Sequence, residues 1–294
     1  MTGDGGKNPN DPHTFHSTHH AHIKAADPGM PVSQIVIVGL IIAVLGGGGL
    51  WYLNRAGEDN KLNSLFSSSE ARKISTSMGQ RGDITLSDGS TLNIGPATKL
   101  TIIPDYNKQY RGVKVEGTAK FDVKPSSGAP LEVRAGGGVF VLNEGAFVIR
   151  SYDDEGGVTF KLTTGTVQMR AKDVRRDVTA PAALHIGKDS SVSDAEAGAV
   201  EIATAWADGK VIFRDLPLGD VLPLFNRYYA MTIDVKDKSL LTRRVTMEAA
   251  LDSKLKAIAA LEASAFVKFA YDGQAPVLRD DPAAAAKAAK AAKK

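Results

Sequence analysis

The sequence predicts a bitopic membrane protein: one transmembrane helix, then an all-β domain and a small α+β domain of βαββαβ order. Three observations predict it. An uncharged apolar run extends from Ile35 to Leu53. Between residues 79 and 171, short stretches alternate apolar and polar side chains and are broken by turn residues. Beyond residue 206, apolar residues recur at helical spacing between further short strand-like runs. The chain has 294 residues, 43% hydrophobic and 23% charged, as in ordinary globular proteins. It has no cysteine, which excludes disulfides, thiolate metal sites and thiol nucleophiles.

Residues 1–31 are polar and rich in Gly, Asp, Asn, Pro and His, so they bury too little to offset their ordering entropy and are expected to be disordered. The expected transmembrane helix occupies residues 32–54. Its nineteen apolar residues, Ile35 to Leu53, rise through about 28 Å, close to the thickness of a bilayer's hydrocarbon core. Ile35, Leu40 and Leu45 are among its anchoring residues, and Trp51 and Tyr52 stand at the end where amphipathic rings favour the interface. The run from Gly46 to Gly49 weakens the helix or lets a second helix approach closely. Charge sets the orientation only weakly. Lys24 precedes the span and Arg55 and Lys61 follow it, which favours a cytoplasmic C-terminal part.

Residues 55–78 read as a linker to the β domain, 79–171. There Asp83–Leu86 and Thr91–Ile94 flank Ser87-Asp88-Gly89-Ser90, an Asp-Gly hairpin turn. Runs at 99–102, 113–115, 120–123, 131–134, 139–142, 147–150, 158–162 and 167–169 continue the pattern, with a longer hairpin loop at Asp153–Gly157. Such spacing predicts a sandwich, barrel or solenoid-like stack. Residues 172–205 have little periodicity and read as a linker or as the end of the β domain.

The last domain, 206–280, opens with a strand at Val211–Phe213. Pro217 suits a first helical turn, and Leu218, Val221, Leu222, Phe225 and Tyr229 make 217–229 an amphipathic helix. Strands are expected at 231–235 and 245–247, a helix capped by Asp252, and closing strands at 266–271 and 276–278. The Ala/Lys tail, 281–294, favours helix when bound and is otherwise expected to be a disordered solubilising segment. Its four lysines carry the basic charge. The formal net charge is +3, so the remainder sums to −1 and the composition gives no nucleic-acid signal.

Gly82-Asp83-Ile84-Thr85-Leu86-Ser87-Asp88-Gly89-Ser90, Val113–Val123, Leu131–Ala135 and Glu144–Arg150 follow one another over about 90 residues. Together they resemble the successive strand words of the FecR family of bacterial membrane-anchored regulators. Two details depart from its pattern: Glu116 and Gly117 stand in swapped order, and Ala146 replaces a usual Thr. Trp206 to Leu218 and Asn226-Arg227-Tyr228 resemble the family's C-terminal part, which is similar to the secretin/TonB short N-terminal domain, a protein-interaction module. The resemblance implies a periplasmic location for the part after the span and a signal-transducing, non-enzymatic role. The implied partner is another envelope protein such as an outer-membrane receptor. The family's cytoplasmic anti-sigma region would precede the span. Residues 1–31 contain no helical, Trp-rich segment of that kind, so the chain is expected to lack it. A second reading, an accessory scaffold subunit of a larger membrane complex, fits the glycine-bearing span. In both readings the bilayer is contacted through 35–53, the protein sits in the bacterial inner membrane, and no cofactor is needed.

Candidate site residues are few. His13, His16, His19, His20 and His22 crowd into ten residues and form a weak metal-binding candidate. His185 has no nucleophile or paired acid around it in the sequence and reads as a loop or surface residue. No catalytic residue is expected. Trp206, Arg227 and Tyr228 are the candidates for partner binding, Trp206 alternatively as a buried staple between the two domains.

Overall fold

Two glycines set the architecture of the β domain. The computed structural model describes residues 61–291, all within one compact unit that runs from Glu58 to Lys294. Strand β5 (Arg111–Val123) and strand β9 (Gly157–Ala171) are each long enough to serve two sheets. Each changes sheet at a glycine with positive φ, Gly117 (φ +124) and Gly165 (φ +92). A Cβ on Gly117 would lie 2.4 Å from the Thr98 hydroxyl oxygen, and one on Gly165 would lie 2.5 Å from the Glu144 carbonyl oxygen. Only glycine fits both the backbone angle and the space.

The first sheet has the order β1 (Arg72–Ser75), β4 (Lys99–Ile102), β5, β6 (Leu131–Ala135), β7 (Gly138–Leu142), β9, β10 (Val174–Thr179). The second runs β2 (Gly82–Thr85), β3 (Thr91–Ile94), β5, β8 (Gly145–Ser151), β9, β11 (Ala182–Gly187), β12 (Val192–Asp194). All pairings are antiparallel except β5 with β6. Because β5 and β9 belong to both sheets, β5, β6, β7, β9 and β8 close a barrel-like circuit. Inward residues alternate along each strand, as Leu92 and Ile94 do on β3. A column of rings fills the interior: Phe121 stacks on Phe147 at 4.5 Å, Phe147 meets Phe160 at 5.2 Å, and Phe160 stacks on Phe140 at 4.4 Å.

The Asp88-Gly89-Ser90 turn reaches into this core. The Asp88 carboxylate accepts from Ser90 N (2.9 Å), the Tyr106 hydroxyl (2.9 Å) and Arg111 Nε (2.8 Å). The Asp88–Arg111 ion pair is almost fully buried. Arg111 also donates to the Lys124 carbonyl, and Ser90 Oγ accepts from Lys124 N. The turn is thus bolted to both ends of β5. Burial drives the Asp88 carboxyl up, but these donors more than reverse it, and its pKa lies below the usual carboxylate value.

Residues 172–205 hold strands β10–β12 and helix α1 (Ala197–Thr204). A 3-10 turn, Ala205–Asp208, then leads into the second lobe. There β13 (Lys210–Pro217) pairs with β14 (Arg244–Ala250), helices α2 (Leu218–Tyr229) and α3 (Lys254–Ala265) pack on them, and β15 (Val267–Asp272) pairs with β16 (Ala275–Asp280). The expected βαββαβ order is corrected to βαβαββ. Residues 231–235 make one parallel bridge, Asp234 to Val277, instead of a strand. Side chains take the backbone donors a ladder would need: Asn226 Oδ1 accepts from Ile233 N, and Asp234 Oδ1 from Val235 N. The Ala/Lys tail, expected to be disordered when unbound, forms helix α4 (Pro282–Ala291), whose Ala284 N donates to the Asp281 carboxylate.

The expected fold class is corrected as well. Among the described residues no helix is long and apolar enough to cross a membrane. The longest of these, α2 and α3, have twelve residues, about 18 Å, where a bilayer needs about 30 Å. The helix expected over 32–54, with Ile35, Leu40, Leu45, Gly46, Gly49, Trp51 and Tyr52, lies outside the described residues, as does the histidine group His13, His16, His19, His20 and His22. The described fold is a mostly β, barrel-like domain joined to a small α+β lobe.

Candidate functional site

The two lobes meet at the loop between β8 and β9 and the last turn of α2. Strand β8 ends in Arg150-Ser151, and the loop carries Tyr152, Asp153, Asp154 and Glu155. Helix α2 presents Arg227 and Tyr228 in its final turn, where a cation also complements the helix dipole. The Glu155 carboxylate bridges the lobes. Its Oε1 accepts from Arg150 Nη2 and from Arg227 Nη1, each at 2.6 Å, and its Oε2 accepts from Arg150 Nε at 2.7 Å. Arg227 Nη2 donates to both Asp154 oxygens, at 2.7 and 2.6 Å. Arg150 Nη1 donates to the Tyr228 hydroxyl at 2.8 Å.

Tyr152 lies between the two guanidinium groups. Arg227 sits 3.7 Å above its ring centroid and Arg150 4.8 Å from it, while its hydroxyl donates to the Pro96 carbonyl at 2.6 Å. Burial pushes the Tyr152 hydroxyl well above its ordinary pKa. Burial also opposes the charge on Arg150, but Tyr228 and Glu155 more than offset it and hold the guanidinium above its usual value. One backbone bond, Gly79 N to Arg227 O at 2.8 Å, ties the same turn to the β domain.

A cleft of about 570 Å³ opens over this network. Its floor is charged, and its walls include Ile202 and Ala203 of α1, Leu216, and Gly219, Pro223 and Leu224 of α2. Pro223 lies inside α2 and has no N–H for the carbonyl four residues earlier, that of Gly219. The cleft therefore joins half-buried apolar side chains to the turn of α2 that Pro223 interrupts. Arg150, Asp154, Glu155 and Arg227 on its floor are each engaged by an opposite charge, and Asp220 lines the cleft as well. Among the described residues, no group of three His, Cys, Asp or Glu side chains could hold a metal ion.

All three residues expected to bind a partner are buried. Arg227 and Tyr228 belong to the interlobe network. Trp206 packs in the second lobe's core with Val148 of β8, its ring against Gly95, and its Nε1 has no hydrogen-bond partner among the described residues. His185 lies half-buried in β11. Reading the sequence missed Arg150, Tyr152, Asp154 and Glu155. The adjacent acids of a hairpin loop were the available signal, but their partner Arg227 is 72 and 73 residues away.

Residues 72–168 match the model of the FecR protein family. This stretch is therefore similar to a FecR domain. Strands β1 to β8 and most of β9 lie within it, and the Asp88-Gly89-Ser90 bolt is part of its core. The described fold also resembles two crystal structures, at 2.50 and 1.65 Å, of a candidate anti-sigma factor from Parabacteroides distasonis ATCC 8503. The first aligns with a TM-score of 0.61 at 20% identity, the second with 0.60 at 19%. Both alignments cover 71% of this chain and 99% of the other. At these identities the likeness is one of fold, and it reaches beyond the FecR-like domain. No curated protein matches the chain.

Proposed function

We propose that this chain is a FecR-type signal-transduction protein that works by protein contact, without catalysis, and that its two lobes act as one body in the periplasm. The FecR-like domain and the anti-sigma-like fold support a regulatory role. The observation that carries the reading is the Arg150–Glu155–Arg227–Asp154 network. It fuses the FecR-like domain to the α+β lobe beneath a cleft walled by both. A partner that fills the cleft touches both lobes at once, so its binding is felt by the whole body. The partner the reading calls for is an envelope protein such as an outer-membrane receptor. It would present apolar side chains to Ile202, Leu216 and Leu224.

The test is made in the native host. Deleting the gene is expected to change a discrete set of transcripts, and an Ile202→Glu/Leu224→Glu variant of unchanged melting temperature should reproduce that change. Unchanged transcripts accompanied by loss of an intact membrane complex would overturn this reading in favour of a scaffold.

A further inference from the structure

The outer face of the first sheet carries a second groove, unrelated to the interlobe cleft. Outward residues of β1, β4, β5 and β6 align across the strands. One row reads Lys73, Thr101, Lys114, Arg134, and the next reads Ser75, Lys99, Glu116. Neighbouring strands are about 4.8 Å apart, so the first row places three cations within about 15 Å.

One wall of the groove is the helical segment 61–66 with Ser67. It is fixed to the sheet at two points. Phe66 sits over Gly112 of β5, where an added Cβ would come within 3.1 Å of its ring. Arg134 stacks on the same ring at 5.3 Å and donates to the Asn63 side-chain oxygen. The groove holds about 780 Å³. Lys73, Lys99, Lys114 and Arg134 line it against a single acid, Glu116.

The charge is only partly met within the fold. Lys114 pairs with Glu116 at 2.8 Å, and Arg134 with Glu132 at 2.6 Å. Lys114 and Lys99 hold the Glu116 carboxyl below its usual pKa, Lys114 chiefly through its hydrogen bond. Lys73 and Lys99 remain at the groove with no carboxylate of their own among the described residues. The Phe66 ring gives the groove an apolar edge, while Ile74 and Leu100 turn their side chains to the core on the other face of the sheet, and the helical wall makes the site concave. A concave, partly apolar, cationic trough suits an extended peptide better than a flat lipid surface.

We propose that this groove binds an acidic peptide segment of a partner protein, its carboxylates meeting Lys73 and Lys99 and its apolar side chains lying on Phe66. Alternate side chains of an extended segment are about 6.8 Å apart on one face, a spacing that lets successive acids meet cations of adjacent rows.

The probe is a fluorescent twelve-residue peptide of alternating Glu and Val, compared with the same peptide carrying Gln for Glu. Fluorescence anisotropy is measured on the full chain and on Lys73→Glu/Lys99→Glu, with vesicles of phosphatidylserine in a parallel arm. The expected result is binding of the Glu peptide alone, at least about tenfold weaker in the variant and weakened by salt. Equal binding of the two peptides would overturn the proposal, as would equal affinity of wild type and variant. So would loss of vesicle binding in the variant with peptide binding intact. Self-association of the variant at unchanged peptide affinity would instead assign these lysines to keeping edge strand β1 from pairing.

Discussion

Replacing Glu155 by Gln tests whether the two lobes are held by the charged network. The substitution keeps the size and removes the charge that serves two guanidinium groups. Arg227 retains both bonds to Asp154 at 2.6–2.7 Å, so the loss falls chiefly on Arg150. That side chain is 5% exposed and would keep the Tyr228 hydroxyl, the face of Tyr152 and at most a neutral bond to the Gln amide oxygen, with no counter-charge. Stranding one member of a buried pair costs about 3–5 kcal/mol. Glu155 is 24% exposed, so water reaches part of the site and the expected cost is about 2–3 kcal/mol. For a unit of this size that lowers the melting temperature by about 4–12 °C. Hydrogen exchange should rise together in residues 150–159 and in the last turn of α2. A double-mutant cycle with Arg227→Met should deviate from additivity by more than about 0.5 kcal/mol. Arg150→Met/Glu155→Leu, which removes both charges, should cost less than Glu155→Gln alone. A Glu155→Gln variant within about 0.5 kcal/mol of wild type, or strict additivity with Arg227→Met, would refute the reasoning.

Four further predictions concern the FecR-like domain. Asp88→Asn strands the buried Arg111 and should destabilise by about 3–5 kcal/mol in chemical unfolding, whereas Asp88→Asn/Arg111→Met should recover part of that. Asp88 also sets an acid limb. Its folded pKa is depressed, so the unfolded chain takes up the proton first. Its stabilisation is full above the unfolded value of about 4 and is lost as pH falls through the lower folded value, and the stability–pH curve of Asp88→Asn should be shallower there. Gly117→Ala combines a positive φ with a Cβ 2.7 Å from the Thr98 Cα and should cost about 3 kcal/mol or more in the melting transition. Gly137→Ala, with φ +84 but open space around it, should cost about 1 kcal/mol.

What could be read along the chain was local. Asp88-Gly89 between alternating runs gave the β2–β3 hairpin, because that turn needs positive φ and the flanking period of two needs a half-buried sheet. The amphipathic spacing of 217–229 likewise located α2 to within a residue. The same local reading split β5 and β9 into two strands each, since Gly117 and Gly165 look like breaks. They are corners instead. Each half of β5 is held by a different neighbour, β4 before Gly117 and β3 after it, and no periodicity records which partner a strand will find.

The interlobe network shows the same limit. Arg227 was visible as a cation at a helix end, and Asp154 and Glu155 as acids in a loop. Their meeting is a long-range event, set by the packing of α2 against the barrel through Trp206 and Val148. Periods and turn residues are imposed by bonds within a few residues, so the β2–β3 hairpin, many of the short strand runs and α2 could be read along the chain, whereas the strands and helix within 172–205 could not. Strand partners across the corners and charge pairs more than 70 residues apart depend on burying distant surfaces together, and only the tertiary structure decided them.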